Sequence, residues 1–261
     1  MTHPRPNPSP TAPPWPHCGH GSSEQDPVGC RGIHIPGHTA CLTHLTRADR
    51  RAYLDDLSPR ANLDLRGTTF EDRLWESLLD ALRDGEPGIG DAQFTAAVFE
   101  CTAWFDSMAF DGNAVFDAAT FQGKGWFEAA TFAWPASFEG ATFETYGGFQ
   151  DATFEDRVSF KGATFTGMAA FDRATFEGAV SFEGVAFKEF TRFGEVSFRS
   201  TADFTSTNFG ATATFQEATF DGPAAFNSAT FEHHAWFTEK IYNVTEGLRS
   251  ATFRHDPKLT R

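Results

Sequence analysis

Four side chains near the start of the chain have the types and spacing of a metal centre. They are Cys18, Cys30, Cys41 and His44, in the pattern C-x11-C-x10-C-x2-H. Zinc takes four sulfur or nitrogen ligands in a tetrahedron, and three thiolates with one imidazole complete that set. With no open coordination position such a site is structural, not catalytic. The surrounding segment has few apolar residues, so a bound metal would supply folding energy that a core does not. His17, His20 and His38 are alternative ligands, and the competing reading is three reduced thiols in an arm without fixed structure. Other chemistry is sparse. No phosphate-binding glycine loop, nucleophile elbow or HExxH helix occurs. Carboxylates are numerous, but a general acid–base pair needs a concave, partly desolvated site, and the pattern described next places them on a convex surface. The sequence is read as non-enzymatic.

The elements that must carry these residues follow from one amino acid. Phenylalanine accounts for 30 of 261 residues, and no leucine occurs between Leu82 and Leu248. From Phe94 to Phe237 the phenylalanines are spaced 5, 6, 5, 6 without a slip through 27 positions, a period of 11. A small residue usually stands two positions earlier, as at Ala97, Ala103, Ala119 and Val180. On a helix these steps would scatter the rings around the cylinder; on a short strand, residues i−2 and i share a face. The pattern therefore predicts short strands with two inward residues, corners between them, and coil stacked on coil as a solenoid. Tyr242, Leu248 and Phe253 continue the register in degraded form.

The stretch Ala-Thr-Phe-Glu-Gly-Ala-Val-Ser-Phe-Glu-Gly at 174–184 resembles the pentapeptide-repeat proteins, in the subgroup with an extra residue at every second corner. The resemblance runs from Ala92 to Phe253 and again from Ala61 to Phe70. It implies an all-β, right-handed, four-sided parallel β-helix with about 22 residues per coil in place of the usual 20. It says little about function, because fold alone does not carry function. The stretch Gly37-His-Thr-Ala-Cys41-Leu-Thr-His44 resembles the short-helix end of a Cys3His zinc knuckle.

The expected organisation is a disordered Pro-rich arm (1–16), a zinc-binding module with a short helix (17–58), opening strands with a capping helix (59–88), the β-helix (89–253) and a polar tail (254–261). Leu63/Leu65 and Thr68/Phe70 are the inward pairs of the opening strands. Glu71 to Arg83 is an amphipathic helix with Leu74, Trp75, Leu78, Leu79 and Leu82 on one face. A solenoid end exposes strand edges and needs a cover, which this helix provides; the alternative is that it packs only within the N-terminal module.

Net charge is −14, unfavourable for nucleic-acid or anionic-membrane binding. No apolar run is long enough to span a bilayer, no secretory signal is evident, and the cysteine pattern fits a cytoplasmic location. Sorted by 22, one corner and the next outward positions give Tyr146, Met168 and Phe190 beside Trp104, Trp126 and Trp236. Large apolar residues on one edge mark an interaction surface, unless the N-terminal module folds back over it. The expected role is a rigid scaffold for an unknown protein partner, in a bacterial-type protein. The alternative is an acidic DNA mimic that binds a type II topoisomerase, since the repeat carries 22 acids against 9 bases. Yet the columns Asp117/Glu139/Lys161/Glu183 and Glu155/Glu177/Arg199/Asp221 are each broken by a cation. With no helix to cover the last coil, residues 238–253 are expected to form a weak homodimer, opposed by the charges of Lys240, Glu246 and Arg249.

Overall fold

The computed structural model describes residues 11–82, 87–238, 248 and 250–260. From Leu63 onward the chain winds into a four-sided parallel β-solenoid whose sheets hold 8, 8, 7 and 9 strands. Going round one coil, the sides carry Ala92–Gln93, Val98–Phe99, Ala103–Trp104 and Ala109–Phe110. From Ala92 onward each strand pairs with the residues 22 positions on: Thr142 faces Thr164, Val158 faces Val180, and Trp104 faces Trp126. The spacing of the phenylalanines thus fixes the coil length directly.

The ladder phenylalanines fill the interior. From Phe94 to Phe215 every one is essentially inaccessible to solvent. Rings 22 residues apart lie parallel, as in Phe143 on Phe165 (4.5 Å between centroids, 4° between planes). Rings from opposite sides meet edge to face across the interior, as in Phe138 and Phe149 (5.4 Å, 87°). Both arrangements suit the ring quadrupole, and each is worth about 0.5–1.5 kcal/mol beyond its burial. Alanine or valine on the intervening strands leaves room for the rings.

Corners alternate in construction, which explains the alternating step. In nearly every five-residue step the carbonyl of the ladder Phe accepts a bond from the amide three residues on, as from Ala97 to Phe94 and from Ala119 to Phe116. The residue before that amide lies in the left-handed region, from Ala96 (φ 56°) and Ser107 (φ 55°) to Ser228 (φ 58°). Only Gly140, Gly162 and Gly184 relieve the strain within this series.

The N-terminal end is covered as the sequence predicts. A helix, α1 (Arg47–Asp55), precedes the opening strands, and a second, α2 (Asp72–Leu82), follows them. The buried face of α2 carries Leu74, Trp75, Leu78, Leu79 and Leu82. Trp75 packs on Phe99 and Phe105 at 5.3 and 4.8 Å, so α2 lies on the rod end as well as beside α1.

The C-terminal end differs from expectation. Lys258–Thr260 is a strand paired in parallel with 236–238, with Leu259 opposite Phe237. Residues 254–260 are therefore not merely a polar tail: leucine takes the ladder position 22 residues after Phe237, without the phenylalanine that made the other positions visible. Phe253 stacks on Phe231 at 4.7 Å and Leu248 is buried. Tyr242, Lys240, Glu246 and Arg249, with most of the segment assigned to the homodimer, lie outside the described residues.

Candidate metal centre and aromatic edge

The N-terminal module brings Cys18, Cys30, Cys41 and His44 together by backbone pairing. Residues 17–20 run antiparallel to 30–33, with the Cys18 amide donating to the Gly32 carbonyl at 2.9 Å and the Cys30 amide to the His20 carbonyl at 2.9 Å. Gly19 and Gly29 take the left-handed conformations that this tight loop needs. A short 3-10 helix, Leu42–His44, then presents His44 one turn after Cys41. The ligand atoms of Cys18, Cys30, Cys41 and His44 all lie within 4.8 Å of one another.

Three of the six separations are close to a tetrahedron's edges. Cys30 Sγ and Cys41 Sγ are 3.6 Å apart, and His44 Nδ1 is 3.3 Å from Cys41 Sγ and 3.5 Å from Cys18 Sγ. With ordinary Zn–S and Zn–N bonds, tetrahedral edges come to about 3.8 Å between sulfurs and about 3.6 Å between sulfur and nitrogen. Gly32 is part of the fit: a Cβ there would sit 2.6 Å from Cys41 Cβ and 2.8 Å from its Sγ. The Cys30 thiol beside Cys41 favours a thiolate on Cys41 and holds its ionisation well below the ordinary thiol range, with His44 adding to the effect. Cys30 moves the opposite way for the same reason. His20 stacks on His44 at 4.1 Å and supports the ring from outside the ligand set. Cys101, by contrast, is buried alone at a corner of the rod, and burial pushes its thiol up to about 12.

The module is tied to the first coil. The Ile33 amide donates to the Arg66 carbonyl at 2.8 Å, and the Thr43 hydroxyl to the Thr69 carbonyl at 2.8 Å. Trp15, expected to belong to a disordered arm, is anchored: its indole N–H donates to the Arg31 carbonyl at 2.9 Å and Arg66 lies over its ring.

The aromatic residues sorted by period do share the third side of the rod, and the N-terminal module docks elsewhere, on the first coil. Trp104 is 43% exposed, Phe190 39% and Trp236 37%. Trp104 and Trp126 are 5.4 Å apart, and Lys124 lies over the Trp126 ring at 5.1 Å. Tyr146 departs from the expected picture. It is nearly buried, because its ring folds over Gly148, where a Cβ would collide with it. Met168 is half-buried. The edge thus presents two patches: Trp104 with Trp126, and a shallow pocket between Phe190 and Trp236 lined by Thr212, Thr214 and Gln216. Trp134, 56% exposed at another corner, breaks no column and left no periodic signal.

The cations interrupting the acidic columns are paired with them. Lys161 reaches Glu183 at 2.7 Å, and Arg199 sits between Glu177 and Asp221 at 3.7 and 3.8 Å. These surface pairs add little stability, but they leave no unbroken row of carboxylates. Among the described residues no helix is long and apolar enough to cross a membrane.

Residues 149–197 match the family described as pentapeptide repeats (9 copies). No curated protein and no solved structure matches the chain. The matched segment is about two coils of a register that extends unbroken to both sides of it, in sequence and in strand pairing. The rod of this chain is a four-sided parallel β-solenoid, and the part of it at residues 149–197 is built of pentapeptide repeats.

Proposed function

We propose that the chain is a rigid, non-catalytic scaffold that holds a protein partner against the third side of its rod. The supporting observation is the placement of Trp104, Phe190 and Trp236, all more than a third exposed, on one side of the solenoid. Aromatic side chains of this kind are the usual anchors of protein interfaces. The interior of the rod is filled by rings, and the ion-paired columns favour this reading over DNA mimicry. Immobilised wild-type protein and the Trp104→Ala/Trp126→Ala variant, exposed to the same cell extract, separate the outcomes. A protein retained by the wild type and at least tenfold depleted on the variant is expected; an identical retained set contradicts the assignment of this edge.

The Cys3His cluster is assigned to structural zinc, on the tetrahedral separations and the space that Gly32 leaves. Metal analysis is expected to give one zinc per chain, lost in Cys41→Ser. Protein purified from zinc-replete medium without stoichiometric metal would return the three thiols to the reduced state.

A further inference from the structure

A second surface, on the N-terminal cap, has the opposite chemistry to the rod. Between α1 and α2 lies an open cleft of about 1000 Å³. Its rim carries Arg47, Arg51 and Arg73, all exposed, and its floor is Leu54, Leu57 and Ala81. Arg50 also lines it, with its guanidinium on the carbonyls of Leu42 and Thr43 at 3.0 and 2.6 Å. Four guanidiniums against two carboxylates, Asp55 and Asp80, leave the cleft positive on a chain of net charge −14. Arg51 is paired with Asp55 at 3.4 Å, with both side chains largely in water, so that pair exchanges readily. No described residue pairs with the side chain of Arg47 or Arg73.

We propose that this cleft binds an acidic, partly apolar peptide segment of a partner protein, laid along the groove between α1 and α2. Size and floor argue for a peptide over a simple oxyanion: a phosphate would fill a small part of the volume and leave Leu54 and Leu57 unused. Charge argues for carboxylates, which planar guanidiniums grip in a bidentate fork. The acidic rod repels such a segment everywhere else and directs it to this end. Burying apolar side chains on the floor, with acids toward the arginine rim, is the arrangement of an amphipathic segment in a groove.

The test is a selection of random twelve-residue peptides displayed on phage, against the full-length, zinc-replete protein, with Arg47→Glu/Arg73→Glu as the counter-target. Both substituted positions are exposed, and melting curves verify that the variant folds. The expected winners intersperse Asp or Glu with Leu, Ile or Phe. A synthetic winner binds the wild type and weakens at least tenfold on the variant and in about 0.5 M salt. Trp104→Ala/Trp126→Ala leaves that binding unchanged, which separates this site from the aromatic edge. Three results overturn the proposal. They are no enrichment, equal binding to the charge-reversed variant, and equal binding by an acidic peptide without apolar residues that about 10 mM inorganic phosphate displaces. The last would mark an oxyanion site only.

Discussion

The rod and the N-terminal module solve the problem of holding a chain together in opposite ways. The rod spreads its stability over many equivalent contacts. Phe160, for example, stacks on Phe138 and Phe182 at 5.0 and 5.1 Å and meets Phe149 and Phe171 edge-on, and the same environment recurs each coil. The module before residue 58 has few buried apolar residues, among them Ile35, Leu42 and Leu45, and gathers its order around four ligand atoms. In the rod, loss of one contact is local because neighbouring coils retain theirs. In the module, loss of the centre removes the shared point of attachment of residues 17–20, 30–33 and the Leu42–His44 turn.

The largest effect separating the two regions should come from the metal. Structural zinc contributes on the order of 10 kcal/mol to small domains that depend on it. Chelation, or Cys41→Ser, should therefore unfold residues 17–45 while the β-sheet circular dichroism of the rod persists. Gly32→Ala, with no ligand removed, should lower zinc affinity by pressing a methyl group on Cys41 Sγ, which a competitive zinc indicator would read.

Next in size, Phe160→Ala should cost about 3–5 kcal/mol through the cavity it opens, measured by denaturant unfolding. Thr164→Ala, facing outward on the next side, should cost under about 1 kcal/mol. Equal losses would erase the contrast between ring core and surface.

A smaller effect, of opposite sign, is expected at the corners. Ala118 holds φ at 54° where Gly140 stands one coil later. Ala118→Gly should relieve left-handed strain of about 1–2 kcal/mol, offset in part by the entropy of a new glycine, for a net gain of up to about 1 kcal/mol in the same unfolding measurement.

Much of this was legible in the sequence, and unevenly so. The 5-6 spacing of phenylalanine specifies strand length, coil length and register, because a single misplaced ring would break a stack. The cluster of Cys18, Cys30, Cys41 and His44 is legible from residue type and the C-x2-H end, although the pairing of residues 17–20 with 30–33 is not. Three features escaped. The last strand was hidden because Leu259 carries the ladder in a polar context. The column of residues places Tyr146 on the exposed edge because it cannot show that Gly148 leaves a place for its ring. The arginine cleft was missed because Arg47 and Arg73 belong to helices whose pairing no periodicity reveals.

Hydrogen exchange of the full-length protein, with and without a zinc chelator, tests the contrast most directly. Amides such as Cys18, Cys30 and Ile33, protected by backbone bonds in the module, should exchange freely once the metal is gone. Those of Thr142, Thr164 and Phe160, bonded between coils, should keep their protection. If chelation leaves the module protected, or if mid-rod amides lose protection together with it, then metal and ring stacks do not divide the molecule as described.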